Sequence, residues 1–167
     1  MFFLKNHMGK IKIKEINDNQ LYAPVSGRLI SLEQVGDAVF SQKIMGDGIA
    51  IEPDEGTLYA PMKGKVSVIF PTGHVIGIEA ENGANIIMHM GIDTVEMQGQ
   101  GFDVRVKKGD SVSPGDLLAR MDLPLIRKKY AATTMVVIEN SNEFQLARAK
   151  QERIKAGEGL MKLTRMV

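Results

Sequence analysis

The chain has no cysteine and no tryptophan among its 167 residues. Without cysteine the protein can form no disulfide, no thiolate zinc site and no cysteine nucleophile, so histidine chemistry is what remains available. Aromatic residues make up only 5% of the chain, which leaves little material for a platform on which nucleic-acid bases stack. These absences exclude disulfide-stabilised folds, thiolate zinc proteins and cysteine-based enzymes, and they argue against a protein that stacks nucleic-acid bases.

A charge excess and a long apolar segment are also lacking. The 21 Lys and Arg residues nearly balance the 20 Asp and Glu residues, whereas a nucleic-acid surface needs a clustered basic excess. No apolar run reaches the ~18 residues of a membrane-spanning helix, and the apolar start at residues 1–4 is too short for a signal peptide. We therefore predict a cytoplasmic protein that binds no nucleic acid.

Length and hydrophobic content match one domain, since 167 residues with 44% hydrophobic side chains can build a core of their own. We predict a flexible tail over residues 1–20 and a single domain over residues 21–167. The tail begins with Phe2, Phe3 and Leu4 and continues with several lysines. We expect a disordered lead-in there, with transient contact to an anionic membrane surface as the alternative.

One seven-residue motif occurs twice, because residues 21–27 return as residues 58–64 with proline and glycine at the same positions. The two copies begin 37 residues apart, and strand-like residues follow each of them. Such a repeat predicts two similar structural units that pack against one another.

Alternating apolar and polar residues predict short strands along most of the chain, with glycine or proline in most of the intervals. The predicted strands lie near residues 21–24, 28–32, 49–52, 57–60, 65–70, 75–80, 85–90, 117–121, 135–139 and 160–164. We therefore predict an all-β sandwich or barrel, with one or two helical turns capped by Asp122. Local propensity predicts a helix over residues 144–154, with an edge strand as the alternative, because edge strands can also be this charged.

Two of the three histidines are candidates for chemistry. His89 interrupts the apolar run 86–90, where an imidazole is either a buried core residue or a nucleophile kept neutral by its surroundings. His74 follows a turn, with the hydroxyl of Thr72 two positions before it. Two strands with a short connection could bring both imidazoles together, and Thr72 could orient His74. The third, His7, lies in the polar tail and is expected at the surface.

Residues 83–95 resemble the phosphohistidine signature of the glucose-type enzyme IIA family. Further blocks resemble the family in the same order, at residues 36–40, 43–51, 70–74 and 122–125. The resemblance implies a compact antiparallel β-sandwich with pseudo-symmetric halves. It also implies a phosphocarrier of the bacterial phosphoenolpyruvate-dependent sugar phosphotransferase system. Such a protein accepts a phosphoryl group from the histidine phosphocarrier protein and passes it to a cysteine of a sugar-permease IIB domain.

The resemblance extends to single residues. His89 matches the residue that accepts the phosphoryl group through its Nε2 atom, and His74 matches the imidazole that hydrogen-bonds the bound group. Thr72 matches the hydroxyl that orients His74. Asp37 and Asp93 match carboxylates beside the site, which are expected to meet an arginine of the incoming phosphocarrier.

We expect the protein to be a monomer. An apolar surface around the site is expected to dock the phosphoryl donor and the phosphoryl acceptor in turn, because water must be excluded from a transferring phosphoryl group. Most strand methionines and phenylalanines belong to a core, so we expect only some of the candidates to be exposed. The candidates are Val39, Phe40, Ile44, Met45, Phe70, Met88 and Met90.

No cofactor is expected to be required if the phosphoryl group arrives already activated on another histidine. Two histidines are too few for a structural zinc site, so zinc is expected only as an ion that His74 and His89 share with a partner's ligand.

A homologue of the same fold that regulates without being phosphorylated remains an alternative. Less favoured are a carrier of biotin or lipoate on Lys63, whose flanks do not fit, and a zinc peptidase. Ile87 and Gly91 stand where the peptidase would need a second histidine.

Overall fold

The computed structural model describes residues 9–167. The proposed membrane-contact residues at the start of the chain and His7 lie outside the described residues. In the rest of the tail, Ile11 N donates to Gly115 O at 3.0 Å, and Lys10 forms a β-bridge with Asp116. The domain boundary at residue 20 stays a prediction. No helix between residues 9 and 167 has the length and apolar character needed to span a bilayer.

The described residues form fourteen strands and two short α-helices. The strands are β1 (Gln20–Tyr22), β2 (Gly27–Ile30), β3 (Asp47–Pro53), β4 (Thr57–Tyr59), β5 (Gly64–Ile69), β6 (Val75–Ala80), β7 (Asn85–Met90), β8 (Phe102–Val104), β9 (Ser111–Val112), β10 (Leu117–Met121), β11 (Thr134–Ile138), β12 (Phe144–Arg148), β13 (Arg153–Ile154) and β14 (Gly159–Arg165). The helices are α1 (Ala38–Ser41) and α2 (Leu123–Arg127), and short 3-10 turns lie at Leu32–Gln34, Thr94–Met97 and Ser141–Glu143.

The strands are arranged in three sheets. The largest has the order β13-β2-β3-β11-β7-β6-β5-β9, and the two smaller ones have the orders β1-β14-β12 and β4-β10-β8. Neighbouring strands in all three sheets are antiparallel. The predicted all-β antiparallel fold is therefore confirmed, and β7 lies in the interior of the largest sheet.

The repeated motif forms the contact between two similar units. Tyr22 N in the first copy donates to Pro61 O in the second at 2.9 Å, and Tyr59 N in the second copy donates to Pro24 O in the first at 2.8 Å. This exchange of equivalent bonds confirms that the two copies pack against one another.

The largest sheet is covered on both faces, because alternate residues of a strand point to opposite sides. The main core takes one face and includes Met88 and Met90 of β7, both without solvent exposure. A smaller cluster takes the other face and consists of Leu32, Val35, Phe40, Ala50, Met135 and Val137. Met135 is the register partner of His89, so His89 lies on the face of the smaller cluster.

All ten predicted strands are confirmed within a few residues, and Asp122 caps α2 by accepting a bond from Leu125 N at 3.1 Å. A helix over residues 144–154 is wrong. That segment contains the strands β12 and β13, and β12 is the edge of a sheet. Its charged pattern fits the edge position, while Phe144 is buried in the core.

Candidate active site

His89 lies near the end of β7, between β6 and β11. Its register partners are Val75 on β6 and Met135 on β11. Both neighbours are buried, whereas His89 is partly exposed. The sheet therefore fixes the backbone of His89 from both sides and leaves part of the imidazole accessible.

The loop after β7 determines which ring nitrogen of His89 carries the proton. His89 Nδ1 lies 2.8 Å from the carbonyl oxygen of Gly91. A carbonyl oxygen only accepts, so Nδ1 must carry the hydrogen, and Nε2 of the neutral ring keeps its lone pair. Gly91 has a φ of +88°, a conformation that other residues adopt only with strain. Glycine at this position lets the carbonyl reach the ring.

His74 is held by the turn between β5 and β6. Gly73 N donates to Phe70 O at 2.8 Å and closes the turn, and Thr72 Oγ1 lies 2.7 Å from His74 Nδ1. The backbone of His74 is held as well, because Met90 N donates to His74 O at 2.8 Å. His74 is only 2% exposed. The predicted pairing of Thr72 with His74 is therefore present.

The two imidazoles pack edge to face, with ring centroids 5.0 Å apart and planes at 88°. Phe40 packs against His89 at 4.9 Å, and Phe70 packs against His74 at 5.6 Å. The ring of Phe102 also lies near His74, with centroids 6.3 Å apart. The two imidazoles thus lie side by side, as the sequence predicted, with phenylalanine rings packed against them.

Burial keeps both imidazoles neutral. It lowers the pKa of His74 to about 4, and the neighbouring charge of His89 contributes in the same direction. Burial also lowers the pKa of His89, against the opposing effects of the Gly91 carbonyl and of the carboxylates of Asp37 and Asp93. At pH 7 each ring therefore has one nitrogen with a free lone pair.

The two carboxylates lie at helix starts beside the site. Asp37 Oδ1 accepts a bond from Val39 N at 2.9 Å and caps α1. Asp93 is exposed and has a φ of +60° at the start of the 3-10 turn Thr94–Met97. Both are close enough to His89 to favour its charged form. The structure thus brings together all five polar residues predicted for the site.

A family model described as phosphoenolpyruvate-dependent sugar phosphotransferase system, EIIA 1, matches residues 19–144. The chain belongs to this family. EIIA proteins of this type are components of the phosphotransferase system that carry a phosphoryl group during sugar uptake, and they interact with the histidine phosphocarrier protein and a IIB domain.

Individual relatives agree with the family assignment. The chain is 42% identical over 134 residues to the glucose-specific EIIA component of Staphylococcus epidermidis, covering 79% of this chain and 81% of the relative. It is 39% identical over 146 residues to the β-glucoside-specific EIIBCA component of Bacillus subtilis, covering 86% of this chain and 24% of that longer protein. The solved glucose permease IIA from Mycoplasma capricolum superposes with a TM-score of 0.80 at 34% identity, covering 85% of this chain and 93% of that one.

Only part of the predicted docking surface of this EIIA chain is exposed. Ile44 is 67% exposed, Phe70 44% and Val39 39%, and Met45 is partly buried. These side chains can touch a partner.

Three of the predicted docking residues are buried and need correction. Phe40 is 3% exposed, and Met88 and Met90 are fully buried. Met88 and Met90 point away from His89 into the main core because they occupy the alternate positions of β7. Phe40 packs edge to face against the ring of His89. None of the three can dock a partner.

The structure adds site residues that the sequence did not predict. Gly91 supplies the acceptor for His89 Nδ1, and Phe102 packs on His74. A glycine directly after a strand is the signal that could have pointed to Gly91, whereas Phe102 comes from a distant strand. Within residues 9–167 no group of three or more His, Cys, Asp or Glu side chains is placed to hold a metal ion.

Proposed function

We propose that this EIIA chain carries a phosphoryl group on Nε2 of His89, accepting it from a phosphohistidine of the histidine phosphocarrier protein. The observation that carries the proposal is the bond from His89 Nδ1 to the Gly91 carbonyl at 2.8 Å. That bond leaves Nε2 as the nucleophilic nitrogen of a neutral ring beside a second imidazole.

In the first step the lone pair of Nε2 attacks phosphorus, and the bond between phosphorus and the donor's ring nitrogen breaks. The bonding electrons stay on the donor's nitrogen, and the donor's imidazole leaves as the neutral ring. His89 then has phosphorus on Nε2 and hydrogen on Nδ1. The ring gains positive character, and the Gly91 carbonyl stabilises it through the bond to Nδ1. No metal or nucleotide takes part in this step.

His74 stabilises the transferred group. With Thr72 donating its hydroxyl hydrogen to Nδ1 of His74, the proton of the neutral ring lies on Nε2, which becomes a hydrogen-bond donor. Phosphoryl transfer depends mainly on positioning and on stabilising the equatorial oxygens. A neutral donor 5.0 Å away, measured between ring centroids, fits that need.

In the second step a cysteine thiolate of a IIB domain attacks phosphorus. The bond from phosphorus to Nε2 breaks, and its electrons return to His89 as the lone pair. The protein regains its starting state and works as a carrier. Phe70, whose ring packs against His74, is exposed, as are Val39 and Ile44, and we expect these three side chains to help exclude water during both steps.

Asp37 and Asp93 serve to dock the donor. Their carboxylates repel a free phosphate dianion, so they are better suited to an arginine of the incoming phosphocarrier. Replacing both with asparagine is expected to slow transfer from the donor and to weaken its salt dependence. Unchanged kinetics at low salt would contradict this docking role.

The test of the proposed function is a mass measurement after incubation with phosphoenolpyruvate, enzyme I and the histidine phosphocarrier protein. We expect one added phosphoryl group that is lost in mild acid, as a phosphohistidine should be. His89→Ala should gain none, whereas His74→Gln should still be phosphorylated. A wild-type protein that gains no mass, or a His89→Ala variant that gains as much as wild type, would overturn the proposal.

A further inference from the structure

Thr94 is a buried residue whose hydroxyl forms a short bond next to the site. Its Oγ1 donates to the carbonyl oxygen of Met90 at 2.6 Å, and both residues are fully buried. The bond closes the turn that follows β7 and contains Gly91. Thr94 also begins the 3-10 turn Thr94–Met97.

Met90, whose carbonyl Thr94 holds, follows His89 in the chain and is hydrogen-bonded to His74. Met90 N donates to His74 O at 2.8 Å, and Met90 O accepts from Thr94. The next carbonyl along the chain is that of Gly91, which accepts from His89 Nδ1 at 2.8 Å. Because glycine is free to rotate, the direction of the Gly91 carbonyl depends on how its neighbours are held.

Backbone bonds hold the peptides before and after Gly91 at their amides, and Glu96 N donates to Asp93 O at 3.1 Å. Gly91 N donates to Thr133 O at 2.9 Å, and Ile92 N donates to Ala131 O at 3.0 Å. The Thr94 hydroxyl adds a second anchor to the first of these peptides, because it holds the Met90 carbonyl directly before Gly91. Space is limited as well, since a Cβ on Gly91 would overlap Thr94 Cγ2.

We propose that Thr94 is a positioning residue for phosphoryl transfer, whose hydroxyl fixes the Met90 to Thr94 turn so that the Gly91 carbonyl holds the proton of His89 on Nδ1. Loss of the hydroxyl frees this turn and lets the proton of the neutral ring move to Nε2. A His89 ring protonated on Nε2 has no lone pair there to attack phosphorus. The expected loss of transfer rate rests on the proposed function. The expected shift of the His89 proton from Nδ1 to Nε2 does not.

The test compares Thr94→Val, which keeps the shape but removes the hydroxyl, with Thr94→Ser, which keeps the hydroxyl. The matched control is Thr134→Val, because Thr134 is equally buried and its hydroxyl donates to Ala132 O at 3.1 Å, outside the turn. Nitrogen NMR of ¹⁵N-histidine-labelled, unphosphorylated protein reports which nitrogen of His89 carries the proton. Rapid-quench kinetics with the phosphorylated donor reports the rate.

In wild type, Thr94→Ser and Thr134→Val we expect the His89 proton on Nδ1 and similar transfer rates. In Thr94→Val we expect a mixture of the two neutral forms and a rate at least about tenfold lower, as a displaced reacting group produces. If Thr94→Val does not fold, Thr94→Ala provides the same comparison with less bulk. The His89 proton still fully on Nδ1 without the hydroxyl, or an equal change in Thr134→Val, would overturn the proposal. An altered proton position in a protein that is never phosphorylated would support the role of Thr94 and refute the proposed function alone.

Discussion

Replacing His74 with glutamine removes a buried group that should make the protein sensitive to acid. Burial lowers the pKa of His74 from 6.5 to about 4 in the folded protein. Between these two values the unfolded chain binds a proton at this position and the folded protein does not. Stability therefore falls as pH falls through this window, because acid favours the state that binds more protons.

The size of the effect follows from the two pKa values. Relative to pH 7, the single His74 site should cost about 2 kcal/mol of folding free energy at pH 5 and about 3 kcal/mol at pH 4. The cost should no longer grow once pH lies well below the folded pKa. Carboxylates with shifted pKa values, such as Asp47 and Glu33, also make stability depend on pH, but they are present in wild type and variant alike.

The assay is urea unfolding of wild type and His74→Gln at pH 7, 6, 5 and 4.5. The difference in unfolding free energy between the two proteins should change by about 2 kcal/mol between pH 7 and pH 5, with wild type losing more. Parallel pH profiles for the two proteins would refute the conclusion that His74 is buried in its neutral form.

Three further predictions concern the turn, the docking surface and the Thr72 hydroxyl. Gly91→Ala should lower the unfolding free energy by about 2–4 kcal/mol, whereas Gly109→Ala should lower it by about 1–2 kcal/mol. Urea unfolding measures the loss in each variant. Gly109 shares the left-handed φ of Gly91 but has open space, so equal losses would contradict a packed turn. Ile44→Asp should slow transfer from the donor while Ile16→Asp, also exposed, should not; equal rates in quench kinetics would remove Ile44 from the docking surface. Thr72→Val should leave the fold stable and reduce transfer at least about tenfold, and a wild-type rate would show that His74 needs no orienting hydroxyl.

The sequence predicted those parts of the fold that local pattern controls. The apolar run of β7 and the paired motif copies are signals in the sequence itself, and the structure confirms both. Residues 144–154 show the opposite case. Their composition suits a helix, but pairing of β12 with β14 and burial of Phe144 determine the outcome, and neither can be read from a local window.

Some features of the site could likewise be predicted from the sequence, and others could not. The pairing of Thr72 with His74 spans two residues and could be predicted, as could the neutral state of His89 in an apolar strand. Most strand methionines are expected to belong to a core, and the burial of the docking candidate Met88 agrees with that expectation, because strand alternation turns it away from His89. The contact of Phe102 with His74 depends on how β8 packs beside the turn, and no sequence spacing carries that information.

The central claim is that Nε2 of His89 forms the bond to phosphorus. Nitrogen and phosphorus NMR of the phosphorylated protein, labelled with ¹⁵N-histidine, tests it most directly through the coupling between the two nuclei. We predict coupling of phosphorus to Nε2 of His89, with Nδ1 still protonated and bonded to Gly91. Coupling to Nδ1 of His89, or to either nitrogen of His74, would contradict the account.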